Sequence, residues 1–124
     1  MLGPIDAIRL FTADIGRATS FYEIILGRAP AVADDAMAIF DTRSTKLIIE
    51  LIDEEDGDDA DELIGRFAGV SFAVPDIRAA HKQLSDAGVT FDGRPEIQPW
   101  GGALAHFFDP DGNVLTLVQY PLPD

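Results

Sequence analysis

The sequence predicts an α+β fold built from two βαβββ modules, because its two halves share one plan. Residues 8–27 and 70–88 each begin with a short apolar run, reach an Asp-Ile pair and continue with apolar residues at helical spacing up to a glycine. The two Asp-Ile pairs, which begin at Asp14 and Asp76, lie half a chain apart. Each half then carries enough apolar segments for three further strands.

The predicted elements follow in the same order in each half. Asp14 and Asp76 stand where a helix N-cap is expected, with apolar residues recurring at helical spacing behind them. The three later strands of each half are predicted at 31–32, 36–40 and 46–52, and at 89–91, 103–108 and 114–119. The turns at 41–44 and 109–112 suit hairpins. Because many strand positions are apolar on both faces, we expect a curved eight-stranded mixed sheet, with helices on its convex side and a concave ligand cup.

Length and composition indicate one domain. A chain of 124 residues, 47% of them hydrophobic, supplies one ordinary core. We expect a single domain over 1–124, with module one at 1–52, an acidic connector at 53–64 and module two at 65–124. The connector is inferred from a run of carboxylates (DEEDGDDADE), which is too charged to be a buried element.

Charge and residue usage exclude several classes of function. The chain has no cysteine, which excludes disulfides, thiolate metal sites and cysteine nucleophiles. Its net charge of −13 argues against nucleic acid or an anionic membrane as partner and favours a cationic ligand, although the excess acid also fits a solvated surface. The first four residues lack the basic and apolar regions of a signal peptide, and no apolar stretch could span a bilayer. We therefore expect a cytoplasmic protein.

Two motifs carry a resemblance to a known family. Residues 14–27 (DIGRATSFYEIILG) resemble the first-helix signature of the glyoxalase, bleomycin-resistance and dioxygenase family, the vicinal oxygen chelate superfamily. Residues 99–102 (PWGG) and 107–113 (FFDPDGN) resemble its closing hairpin. The resemblance covers nearly the whole chain and implies a cup formed by two βαβββ modules, in which the enzymes of the family hold a divalent metal. It also implies a homodimer, because family members pair their modules across a two-fold axis.

The metal positions implied by this resemblance are poorly suited to a metal. Counted from the motifs, they fall on Ala7, Glu50, Gly69 and Thr116. Alanine and glycine have no side-chain donor and a threonine hydroxyl is a poor ligand, so only Glu50 remains, and one carboxylate binds a metal weakly. We therefore expect no metal and no other cofactor. The resemblance is closer to the metal-free members that sequester small molecules.

Strand alternation predicts which side chains share the cup with these positions. The result is a mostly apolar lining with one cation, one anion and hydroxyl groups. Its candidate ligand-binding residues are Arg9, Phe11, Ile48, Glu50, Ser71 and Thr116. Such a lining suits a small organic molecule held by shape and a few polar contacts. Arg9 and Glu50 either form an internal ion pair or contact the ligand, and the two interpretations are compatible.

His106 and Trp100 complete the candidate site. His106 lies on the strand before Thr116. The resemblance implies that this is the position at which ring-cleaving dioxygenases of the family carry a tyrosine that faces the metal. A slip of one residue in the hairpin would turn it to the helix side. Facing the cup, it is either a structural donor or a catalytic acid or base together with Glu50. Trp100 either stacks on a planar ligand and closes the cup, or packs against a partner subunit. His81 is expected to be a solvated surface residue.

Three functions are compatible with these residues. The first is a metal-free protein of the bleomycin-resistance type that sequesters a small organic molecule. The second is a lyase or isomerase that uses His106 and Glu50 as acid and base without a metal. The third is a metalloenzyme whose ligands come from unexpected positions. The missing donors at Ala7, Gly69 and Thr116 favour the first, although fold alone does not decide activity.

Overall fold

The structure is a computed structural model that describes residues 1–53 and 60–121. It divides into two compact units, Met1–Arg66 and Phe67–Asp124. The first contains β1 (Ala7–Thr12), α1 (Ile15–Leu26), β2 (Val32–Ala33), β3 (Met37–Asp41), β4 (Lys46–Leu51) and α2 (Ala60–Leu63). The second contains β5 (Phe67–Ala73), α3 (Ile77–Asp86), β6 (Thr90–Ile97), β7 (Ala103–Phe108) and β8 (Val114–Gln119).

The two units have the same sheet topology. The strand order is β1-β4-β3-β2 in the first four-stranded sheet and β5-β8-β7-β6 in the second. In each sheet the first and last strands are parallel neighbours, while the remaining pairs are antiparallel. The predicted α+β class and the two βαβββ modules are therefore confirmed, with each module supplying one four-stranded mixed sheet.

Aspartate side chains begin the two long helices, as predicted. Asp14 accepts a hydrogen bond from the Arg17 backbone N–H at 3.0 Å, and Asp76 accepts one from the Ala79 N–H at 3.1 Å. Each bond satisfies a donor that the first turn of a helix leaves free. Gly27 ends α1 in the left-handed conformation that favours glycine, with φ of 66°.

The core of the first unit lies between α1 and one face of its sheet. Tyr22 of α1 is fully buried, and its ring centroid is 6.3 Å from that of Phe40 on β3. Leu10 on β1 and Ile49 on β4 are buried on the same side. Because consecutive residues of a strand point to opposite faces, Arg9 and Glu50, which are next to Leu10 and Ile49 in the sequence, lie on the face away from α1.

The second unit is packed in the same manner beneath α3. Ala105 and Phe107 on β7 and Leu115 on β8 are buried, and Ile77 at the start of α3 is 3% exposed. Alternation places His106 on the opposite face of β7. The hairpin register pairs His106 with Thr116.

A hydrogen-bonded turn fixes the register of this hairpin. Asp109 Oδ1 accepts hydrogen bonds from the backbone N–H groups of Asp111 and Asn113, and Asp109 Oδ2 accepts one from Asn113 Nδ2, each at 2.9 Å. Asp109 and Asn113 are both buried. Gly112, with φ of 81°, takes the left-handed position of the turn.

The sequence-based prediction of the strand at 89–91 was wrong in extent. The strand β6 runs on to Ile97 through a bulge between Asp92 and Glu96, with Gly93 in the left-handed region at φ 83°. Gly93 and Pro95 interrupt the strand pattern in the sequence. At the edge of a sheet a proline is tolerated, because its missing N–H breaks no inner ladder bond.

Two other expectations concern the middle of the chain and the membrane. Most of the predicted acidic connector at 53–64 lies outside the described residues, since 54–59 are not described, and its end forms the short helix α2. Within the two described ranges, every helix is too short or too polar to cross a bilayer.

Candidate functional site

The open face of the first unit carries an arginine–glutamate pair. Arg9 on β1 donates from Nε to Glu50 Oε1 and from a terminal nitrogen to Glu50 Oε2, both at 2.8 Å. The parallel register places Ile48 beside Arg9 and Phe11 beside Glu50. The structure thus brings together all four predicted residues of this unit, and the predicted pairing of Arg9 with Glu50 is present.

This ion pair is only partly withdrawn from water. The side chain of Arg9 is 59% exposed and that of Glu50 is 22% exposed. The hydrogen bond from Arg9 lowers the pKa of Glu50, against the opposing effect of partial burial, while the same contact raises the pKa of Arg9. The guanidinium carbon also lies 5.4 Å from the centroid of the Phe11 ring, within cation–π range. Glu50 is therefore an ionised carboxylate with its charge balanced.

The open face of the second unit carries a polar row across three adjacent strands. Ser71 on β5 is the register partner of Thr116 on β8, which is the register partner of His106 on β7. His106 Nδ1 is hydrogen bonded to Thr116 Oγ1 at 2.8 Å. This contact places both side chains on one face, which is the orientation that the sequence left dependent on hairpin register.

The contacts of His106 fix its ring. Its centroid lies 6.0 Å from that of Phe67 in an edge-to-face arrangement. Within residues 1–53 and 60–121, its Nε2 atom has no hydrogen-bond partner. A half-buried imidazole held through one nitrogen is suited to contact a ligand through the other.

Trp100 packs on its own chain. Its side chain covers Gly102, where an added Cβ atom would collide with the indole ring. Its ring centroid lies 6.0 Å from that of Tyr120. Trp100 remains 49% exposed. Stacking on a ligand and packing against a partner subunit both remain predictions for this exposed part.

The side chains at the implied metal positions do not fit a metal. Ala7 and Gly69 supply no donor atom, Thr116 Oγ1 is engaged by His106, and both oxygens of Glu50 are engaged by Arg9. Over the part of the chain that the structure describes, His, Asp and Glu side chains form no group of three that could hold a metal ion. The four positions therefore lack the convergent donors that a divalent metal requires.

The match to a family model decides the family. The model of the Glyoxalase/Bleomycin resistance protein/Dioxygenase superfamily matches residues 4–117. The chain belongs to this superfamily. The resemblance noted in its helix and hairpin motifs is thereby confirmed.

Proteins similar to this chain cover almost its entire length. The uncharacterized protein YraH of Bacillus subtilis is 28% identical in an alignment 122 residues long that covers 90% of this chain and 94% of YraH. A superfamily member from Sphaerobacter thermophilus is 29% identical, with a TM-score of 0.74 over 95% of this chain and 98% of that one. TnmS3, an antibiotic binding protein from Streptomyces, is 25% identical, with a TM-score of 0.72 over 96% and 97% of the two chains.

Sequence reasoning missed a cluster on the helix side of the second unit. His81, expected to be a solvated surface residue, is half-buried, because its ring lies 4.2 Å from that of Phe91 and its Nε2 donates to the Gly93 carbonyl oxygen at 3.2 Å. The only signal in the sequence was the Gly93 and Pro95 interruption of a strand. The bulge that it produces brings Arg94 to a cavity that also includes Arg78 and His81.

Proposed function

We propose that this protein binds and sequesters a small organic molecule without turnover and without a metal. Each open face offers apolar surface with a few polar groups. These are Arg9 and Glu50 beside Phe11 in the first unit, and Ser71 and His106 in the second. Such a composition is typical of sites that hold organic ligands by shape and selected polar contacts.

The observation that carries the proposal is the state of the four positions that hold the metal in enzymes of the superfamily. Two of them have no donor, and the other two, Glu50 and Thr116, already have partners in Arg9 and His106. A catalytic metal needs three or four convergent ligands and an open coordination position. These residues are therefore better explained as parts of a binding surface.

The ligand is expected to be neutral or cationic. The net charge of −13 attracts cations over long range and repels anions. Arg9 is the more exposed partner of Glu50, so a ligand amine can take its place at the carboxylate, while an aromatic ligand can lie on Phe11. TnmS3, which shares the fold and is 25% identical, is an antibiotic binding protein, which supports a small organic molecule as the ligand.

A lyase or isomerase using His106 and Glu50 is the second candidate. The partner-free Nε2 of His106, among the described residues, is the observation in its favour. Against it, the contact with Arg9 lowers the pKa of Glu50, and a carboxylate with a lowered pKa is a weaker base and is not a proton donor near neutral pH. Binding is therefore the stronger proposal.

The decisive experiment combines metal analysis with native mass spectrometry. Protein purified without a histidine tag and dialysed against a mild chelator is analysed for metals and for retained small molecules. We expect substoichiometric metal and, where a ligand co-purifies, a ligand that keeps its mass during incubation. Stoichiometric zinc, nickel, manganese or iron would overturn the proposal, and conversion of the retained ligand would favour the enzyme.

The role of Glu50 is tested by titrating the identified ligand into variants. If the ligand is cationic, Glu50→Gln weakens binding by about tenfold, the effect of about 1.4 kcal/mol. Glu23→Gln is the matched control, because it removes the same charge from an exposed position on α1, on the other side of the sheet from Glu50. Equal loss in the two variants would mean that only net charge matters and that Glu50 does not contact the ligand.

We also propose that the protein is a homodimer. Large apolar side chains remain exposed in both units, including Ile24, Val32, Phe67 and Tyr120. Free edges of sheets and exposed apolar side chains are commonly covered by a second copy of the chain.

A further inference from the structure

The bulge of β6 and the helix α3 are joined by His81. Its Nε2 donates to the carbonyl oxygen of Gly93, the residue of the bulge that takes the left-handed conformation. Its ring also packs against that of Phe91, four residues before Pro95, with 4.2 Å between centroids and 48° between the ring planes. A bulge redirects the side chains that follow it. His81 therefore holds the segment that carries Arg94 against the helix that carries Arg78.

Arg78 and Arg94 line one open cavity of about 400 Å³, together with His81 and Pro95. Within the described residues neither arginine forms an ion pair or a side-chain hydrogen bond. The described lining of this cavity contains no carboxylate. Asp92 and Glu96 line a separate cavity of about 260 Å³ beside His106, which Arg94 also borders.

Two arginines without an ion pair in the described chain line one cavity, although acidic partners are abundant in a chain with 22 acidic and 9 basic residues. Arg9, Lys46 and Lys82 have such partners, in Glu50, Asp6 and Asp86. Two guanidinium groups that line one cavity without a carboxylate repel each other, and an oxyanion between them would offset that repulsion through charge-assisted hydrogen bonds.

A larger cavity adjoins this cationic one. It measures about 440 Å³, shares Arg78 and Pro95 with the first cavity, and has the apolar side chains of Pro75, Ile97 and Ala103 in its lining. The lining also includes Asp76 and Gln119, which already have partners, because Asp76 accepts from the Ala79 N–H and Gln119 accepts from the Ile77 N–H. Arg78 and Arg94 thus supply cationic donors beside the apolar side chains of Pro95 and Ile97.

We propose that these two cavities form a binding site for a small organic anion, whose oxyanion lies between Arg78 and Arg94 and whose apolar body lies on Pro95 and Ile97. The site is on the helix side of the second unit, opposite the face of His106 and Thr116. Of the described lining residues, it shares only Arg94 with the cavity beside His106, and it accepts the opposite charge from the ligand of the proposed function.

Phenyl phosphate is a suitable probe, because it combines an oxyanion with one apolar ring. Its titration is followed by amide chemical shifts in ¹⁵N-labelled protein, with inorganic phosphate and benzyl alcohol as the two half-probes. We expect saturable shifts at residues 78–81 and 93–97, and weaker binding of both half-probes. Arg78→Gln and Arg94→Gln should each weaken phenyl phosphate by about tenfold, the usual scale for losing one charge-assisted contact.

Lys82→Gln is the matched control. It removes the same charge from α3 one turn beyond Arg78, where the ammonium is paired with Asp86 at 2.8 Å. We expect it to leave the affinity unchanged, while Ile97→Ser weakens phenyl phosphate without affecting inorganic phosphate. Because both arginines are exposed and unpaired in the described chain, their variants should have the same melting temperature as the wild type.

Three results would overturn the proposal. They are shifts spread over all basic residues, equal weakening by Lys82→Gln, and equal binding of inorganic phosphate and phenyl phosphate. The first two results would indicate nonspecific anion binding. The third would indicate that Pro95 and Ile97 do not contribute to binding.

Discussion

Replacing Asp109 with alanine should destabilise the protein far more than its position in a turn indicates. The carboxylate accepts three hydrogen bonds of 2.9 Å, from two backbone N–H groups and from the Asn113 amide, in a turn where Asn113 is 1% exposed. Alanine would leave these donors without their acceptor. Since a net hydrogen bond to a charged group contributes roughly 1.5–3 kcal/mol, and the three are not additive, we expect a loss of about 3 kcal/mol.

The measurement is urea unfolding followed by tryptophan fluorescence and circular dichroism. At a slope of about 1.5 kcal/mol per M, the expected loss lowers the midpoint by about 2 M. Protein concentration is held fixed, because dimerisation would add to stability. Asp109→Asn keeps an acceptor for the backbone groups and should lose about half as much.

Asp92→Ala is the control for charge, because it removes a carboxylate from an exposed position in the same unit. Surface changes of this kind usually stay within about 0.5 kcal/mol. If Asp109→Ala remained within that range, the hydrogen bonds of the turn would not fix the hairpin, and the placement of His106 opposite Thr116 would need another cause.

Three further predictions concern the ion pair, Trp100 and assembly. Arg9 lowers the pKa of Glu50 below its ordinary value of 4.5, so the stability contributed by this pair is present at neutral pH and is lost as the pH falls through the folded-state pKa. The difference in melting temperature between the wild type and Glu50→Gln should therefore shrink on acidification. A difference that stays constant would refute this prediction. Gly102→Ala should displace the Trp100 indole, because the new methyl group collides with it. We expect tryptophan fluorescence to shift to longer wavelength and the free energy of unfolding, measured by chemical denaturation, to fall by about 1–3 kcal/mol. Unchanged fluorescence would contradict the packing of Trp100 on Gly102. Light scattering should give about twice 13.4 kDa, and a monomer at micromolar concentration would exclude the dimer.

Local signals account for the elements that were predicted well. The strands at 103–108 and 114–119 coincide with β7 and β8, because Asp109 and Gly112 mark the turn between them without ambiguity. Asp14 and Asp76 located the helix starts because a side-chain acceptor there satisfies a specific backbone donor.

Contacts across strands account for what could not be predicted. Alternation placed Arg9 and Glu50 on one face, but the bond between His106 and Thr116 depends on register, which a single sequence does not reveal. The course of β6 depends on the bulge at Gly93, whose stabilising contact with His81 comes from another element. The cavity between Arg78 and Arg94 follows from that bulge and was missed with it.

The parallel pairing of the first and last strands of each unit has a consequence for how the chain folds. Arg9 and Glu50 meet across 41 residues of sequence, so the parallel pairing of β1 with β4 at one edge of the sheet closes a long loop. Loop closure of this kind slows folding, whereas the antiparallel hairpins β3–β4 and β7–β8 form from local contacts. During synthesis, β1 and β5 must therefore remain without their partners until the last strand of their own unit leaves the ribosome. If the ribosome stalls before β8 is complete, the first unit already has all of its strands and can fold. The second unit then lacks the partner of β5, and its apolar strands stay exposed.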